Sequence, residues 1–255
     1  MGLGIRRAAR AVSEGALALL FPRGANCLCC GDPRRASQED CLCASCRHAL
    51  DGLRVPPEAC NRCLSPLREG RKCGFCQSRV MGKIERVYAP WRYQEEVRAL
   101  IHAFKFNGCD EALPLLADHM HHAITGGDFD CITPVPLHPK RLRQRGVNQA
   151  LLLAGALSAR MGIPVRELLQ RDTYRRPQSR LRETERQFNV AGAFSCREGA
   201  EGLRVLLVDD VRTSGNTAHF CARALREAGA ESICLVVAAV VYRRGGKKTS
   251  NKSGA

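Results

Sequence analysis

Four apolar residues, Val205-Leu206-Leu207-Val208, run straight into two acids, Asp209 and Asp210, and then into the turn Val211-Arg212-Thr213-Ser214-Gly215-Asn216-Thr217. An uninterrupted apolar run, as opposed to an alternating one, suits a strand covered on both faces, as in a parallel sheet. Beyond the turn, helical spacing extends from about Thr217 to Glu227 and Gly229 stops it. A second apolar run, Ile233 to Val241, follows. Strand, helix and strand in that order make one βαβ unit, which predicts a doubly wound parallel α/β sheet.

The turn also has a chemistry. Thr213, Ser214, Gly215, Asn216 and Thr217 fall where a helix begins, so backbone N–H groups, hydroxyls and the positive end of the helix dipole can together hold a phosphate monoester. Gly215 keeps a Cβ out of that approach. Carboxylates are poor partners for phosphate but good acceptors for ribose hydroxyls, and Asp209 and Asp210 can share a Mg²⁺ through water. Acids and cradle together describe a site for a ribose 5-phosphate. An ordinary strand, Asp-rich turn and capped helix is the plainer reading, but it leaves the agreement of all thirteen positions unexplained. The pattern differs from GxxxxGK[ST], which disfavours a nucleotide P-loop.

Upstream, Glu95 to Phe106 and Glu111 to Ile124 have helical spacing, Cys131 to Val135 is a short apolar run, Asn148 to Met161 is helical, and Ile163 to Leu169 suits a short strand or helix. Texture divides the chain into an N-terminal amphipathic helix (1–22), a cysteine-rich module (23–80), an α/β domain (87–243) and a basic, disordered tail (244–255). The longest apolar run, Ile233 to Tyr242, is half the roughly 20 residues of a spanning helix, so no membrane span is expected and the location reads as cytoplasmic.

Ten of the fifteen cysteines lie between Cys27 and Cys76. Cys27 and Cys30 are followed after twelve residues by Cys43 and Cys46; Cys60 and Cys63 are followed after nine by Cys73 and Cys76. Paired CxxC turns each deliver two thiolates to one ion, so the spacing predicts two tetrahedral Zn²⁺ sites, with Cys29 and Cys41 spare or, in a slipped register, Cys29 replacing Cys30. Four protein ligands leave no open position for chemistry, so the zinc would staple the module. A redox CxxC would need a thioredoxin-like setting that this segment lacks. His119, His121 and His122 share a helix, and a polar helix face explains them better than a metal.

Forty Lys and Arg against 25 Asp and Glu give a formal charge of +15, which predicts attraction to polyanions without naming one. The cations concentrate in Lys140, Arg141, Arg143 and Arg145, and again in Arg175, Arg176, Arg180, Arg182 and Arg186.

The segment Val205 to Thr217 resembles the phosphoribosyl pyrophosphate (PRPP) motif of type I phosphoribosyltransferases. Three further stretches extend the resemblance to the ComF family of competence-associated proteins, in which a zinc module precedes a transferase-like domain. They are Ile101 to Gly108, Pro134 to Gln149, and Gln178 through Arg186 to Asn189 and Phe194. The resemblance implies ribose and Mg²⁺ at Asp209 and Asp210, the 5-phosphate at Thr213 to Thr217, and pyrophosphate on the basic loop Thr133 to Arg145 through Arg141 and Arg145. Arg171 to Asn189, with Arg186, would be a mobile lid or a DNA-binding arm. Arg212 departs from the family pattern, which usually has an apolar residue there. Implied partners are PRPP, single-stranded DNA and the DNA-import machinery; a metabolic phosphoribosyltransferase and a PRPP-responsive protein without turnover are the competing functions.

Overall fold

A computed structural model of the chain describes residues 26–33, 41–67, 73–77, 81–106, 111–171 and 193–242. The expected N-terminal helix, the Arg175 to Arg186 tract and the basic tail lie outside these residues.

Strand β6 (Arg204–Arg212) is the axis of the fold. It pairs in parallel with β7 (Ser232–Val240) on one side and with β3 (Cys131–Pro134) on the other. Beyond β7, the short strands β1 (Arg86–Tyr88) and β2 (Trp91–Arg92) complete an all-parallel sheet. β6 is longer than the four apolar residues imply, because its pairing with β7 continues to Arg212 opposite Val240. The acid pair therefore sits within the strand's last turn of pleat, ahead of the loop.

Both faces of the sheet are covered, as the apolar runs require. Leu206, Val208, Val236 and Ala238 face one core together with α3 (Glu95–Phe106), α4 (Ala112–Ala123) and α6 (Gln149–Met161). Val205, Leu207, Leu235 and Val237 face the other with α7 (Asn216–Glu227). Alternate residues of one strand point to opposite faces, which is why each run feeds two cores.

The cysteine-rich segment is built into these cores. Cys27, Cys43 and Cys46 pack with Leu42 and Leu50 of the region around α1 (Ala44–Gly52) against Trp91, Val97 and Leu100 in the first core. Cys60 and Cys63 pack against Met81, Ile84 and Val87 in the second. Backbone bonds fasten the junction: Val55 N–H donates to Pro90 O, Arg92 N–H to Leu53 O, and Val87 N–H to Arg62 O. The Arg62 guanidinium adds bonds to the carbonyls of Met81, Ile84 and Glu85.

Two segments differ from the sequence reading. The basic stretch taken as a loop contains a short helix, α5 (Pro139–Arg145): Pro139 presets the first turn, His138 Nδ1 accepts from Lys140 N–H, and Gly146 closes it at φ 76°. After α6, Val165 bridges Ile132, and the chain forms a two-stranded antiparallel ribbon, β4 (Leu169–Arg171) with β5 (Phe194–Cys196), packed beside α7.

Candidate functional site

β3 and β6 are adjacent and parallel, so their carboxyl ends open side by side: Pro134 is opposite Val208, and Val135 N–H donates to Val208 O. From β3 the chain leaves on one face through α6 and returns beyond β3 at Val165. From β6 it leaves on the other face through α7 and returns at β7. The two connections run in opposite directions, which makes this the switch point where ligands bind in open α/β sheets.

The loop after β6 forms one wall. Gly215 adopts φ 79°, a left-handed conformation that side chains resist, and begins α7 without a side-chain cap. α6, by contrast, is capped by Asn148, whose Oδ1 accepts from Ala150 N–H. α7 has no acid in its first turn, Ser214 Oγ accepts from Asn216 N–H at 3.4 Å, and the Thr213 and Thr217 side chains are exposed. Thr213, Gly215 and Thr217, with Asp209, Val211, Arg212 and the apolar Ala218, Leu235 and Val237, enclose about 30 Å³, room for about one water.

The two acids have different surroundings. Asp210 meets Lys105, the cation in the last turn of α3, with Oδ2 2.6 Å from Nζ. Asp209 accepts the Asp210 N–H through Oδ1 and lies toward the buried Cys221 of α7, whose thiol is pushed up in pKa by burial and then by this carboxylate. Burial, and then the neighbouring Asp210, raise the Asp209 pKa to about 7. Lys105 lies in Ile101 to Gly108, one of the family-like stretches, but carried no role in the sequence reading; a lone cation closing an apolar helical run was the available signal.

The loop after β3 and α5 forms the opposite wall. Lys140, Arg141 and Arg143 are exposed. Arg145 ends α5, and Arg186 lies outside the described residues. The pKa of His138 is held down by burial and then by Arg171, Arg141, Arg143 and Lys140, so cations from β4 and α5 converge on this rim.

The thiols gather as the spacing requires. Cys27, Cys30, Cys43 and Cys46 form one group and Cys60, Cys63, Cys73 and Cys76 another, with all sulfurs of a group within 4.8 Å of one another. Cys30 to Cys43 is 3.9 Å, Cys60 to Cys76 3.6 Å and Cys63 to Cys73 3.4 Å. These separations are too long for disulfides and close to the roughly 3.8 Å edge of a tetrahedral ZnS₄ site. The slipped register is excluded: Cys29 turns away and donates to Glu96 O at the start of α3. The three histidines of α4 do not share one polar face. The His119 ring packs tilted against Trp91, centroids 4.6 Å apart at 60°, while His122 Nδ1 lies 2.7 Å from Asp118 O within its own helix.

A phosphoribosyl transferase domain model matches residues 148–254. Competence protein ComFC from Bacillus subtilis is 28% identical over 199 residues, covering 74% of this chain and 79% of its own. Competence protein F from Haemophilus influenzae is 29% identical, with 74% and 93% covered. The DNA utilization protein YhgH of Escherichia coli K12 is 28% identical, with 75% and 87% covered. Together with the parallel sheet and the two four-cysteine groups, these matches make the chain similar to the ComF-type competence proteins.

Proposed function

We propose that the chain binds PRPP with Mg²⁺ at the β3–β6 switch point and acts in handling single-stranded DNA during natural transformation. One observation carries the first half: an acid pair on a buried parallel strand leads into an uncapped, glycine-turned helix N terminus, facing a rim of cations. In this reading Asp209 and Asp210 accept the ribose hydroxyls and hold Mg²⁺, which supplies charge neutralisation for the diphosphate. Thr213 to Thr217 cradle the 5-phosphate, and Arg141, Arg145 and Arg186 meet the pyrophosphate. Lys105 keeps Asp210 in place until the ligand arrives. The two four-cysteine groups hold structural Zn²⁺, with every coordination position filled by sulfur.

The DNA role rests on the names of the relatives, two of them competence proteins and one a DNA utilization protein, and on the +15 charge. Calorimetric titration of zinc-loaded protein with PRPP and Mg²⁺, with and without single-stranded DNA and with pyrophosphate release followed in parallel, tests the reading. Binding is expected in the wild type and lost in the Asp209→Asn, Asp210→Asn double variant. Unchanged affinity in that variant removes the acid pair from the site. Release of pyrophosphate identifies a transferase, and binding without release identifies a PRPP-responsive adaptor.

A further inference from the structure

Arg212 is the last residue of β6, directly before the phosphate loop, and it is only 4% exposed. Its guanidinium lies 4.5 Å above the ring of Phe75, in the short helix α2 (Gly74–Gln77) that Cys73 precedes and Cys76 occupies. Among the described residues its Nε and Nη2 have no hydrogen-bond partner, and neither does the Tyr242 hydroxyl nearby. Burial lowers the pKa of this cation, and the opposing influences are Cys63, the Tyr242 phenol, Cys73 and Cys76. A buried arginine with idle N–H groups is costly unless something charged receives them. Four thiolates on one divalent ion carry a net charge of −2 and have sulfur lone pairs to accept N–H bonds. The backbone completes the link: Val241 N–H donates to Arg212 O, and Tyr242 follows.

We propose that Arg212 is a strut coupling the second four-cysteine site to the phosphate loop. Its unpartnered N–H groups donate to the thiolates of the metal-loaded quartet, and that contact fixes the strand end from which Thr213 to Gly215 depart. The coupling half rests on the PRPP reading above; the metal half does not. Because coupling between two sites is reciprocal, zinc in the second quartet tightens PRPP binding by the factor by which PRPP tightens zinc. The first quartet, in the opposite core, is untouched.

The test is zinc retention by the full chain against a chromogenic chelator, with and without PRPP and Mg²⁺, for wild type, Arg212→Lys and Arg212→Leu. Leu replaces an unpaired buried charge with an apolar group and leaves the core filled, so the variant folds; Trp91 emission, from the other core, checks this. One of the two zinc ions is expected to be held about tenfold less tightly in Arg212→Leu, in the range for residues that orient metal ligands, with Lys between. PRPP should tighten that zinc in wild type and leave it unchanged in Arg212→Leu. Equal zinc retention in wild type and Arg212→Leu overturns the strut, whether or not PRPP binds. If Arg212→Leu loosens zinc but titration detects no PRPP binding, the coupling and the ligand reading fall together while the metal contact stands.

Discussion

Asp209 and Asp210 are adjacent in sequence yet lie in different surroundings, Asp210 against Lys105 and Asp209 toward Cys221, and Asp209 is the residue to follow with pH. Its carboxyl is raised from 3.8 to about 7, first by burial and then by Asp210. A raised acid favours the native state while protonated, so its contribution is fully present below about 3.8 and is lost as pH rises through about 7. The thermal midpoint of ligand-free wild type should therefore fall relative to Asp209→Asn between pH 4 and 8, since Asn cannot ionise. A midpoint difference that stays constant over that range, measured by scanning calorimetry, would show that Asp209 is ionised throughout. The acids themselves were legible in the sequence because strand, turn and helix are contiguous there. Lys105 and Arg212 were not. Lys105 reaches Asp210 from 105 positions away only because α3 packs on the sheet, and Arg212 looked like a break in a pattern until Phe75 and the second quartet were found beside it.

At the level of elements, periodicity predicted α3, α4, α6 and α7 to within a residue or two, because each buries a continuous apolar stripe. It missed α5, which buries little: its cations are exposed, and capping by His138 and Pro139 fixes it without a hydrophobic face. For the cysteine segment, spacing shows which thiols pair but not which core they enter. The two quartets sit in different cores, and this has a spectroscopic consequence. Trp91 is the chain's one tryptophan, fully buried in the core that contains Cys27, Cys43 and Cys46. Cys43→Ser should lower zinc from two ions to one per chain and shift Trp91 emission to the red. Cys63→Ser should remove the other zinc and leave the emission maximum near the wild-type value. Equal shifts in both variants would mean that the quartets stabilise a single unit instead of separate faces.

Over the whole molecule, charge and topology act together. A formal +15 spread evenly would give weak, featureless attraction to any polyanion, but α5 concentrates Lys140, Arg141 and Arg143 on an exposed helix at the rim of the switch-point crevice. Leu142 and Val147 are also exposed there, at 41% and 45%, so a strand lying along α5 meets apolar contacts as well as cations. Aromatic residues make up only 5% of the chain, so in the proposed DNA role base stacking would be limited and phosphate contacts would supply most of the affinity. Each phosphate neutralised on a single strand contributes about 0.7 to the slope of log affinity against log salt. Replacing Lys140, Arg141 and Arg143 together with Gln should therefore reduce that slope by about 2 in fluorescence-anisotropy titrations with an oligonucleotide of mixed sequence, with little effect on fold, since all three side chains are in solvent. An unchanged slope would move the DNA contact off α5, and the Arg175 to Arg186 tract would be the next surface to neutralise. Because α5 also borders the proposed pyrophosphate position, PRPP with Mg²⁺ and the oligonucleotide should compete if both use this rim. Anisotropy titrations repeated at saturating PRPP should then give weaker DNA binding in wild type and no further weakening in the triple variant.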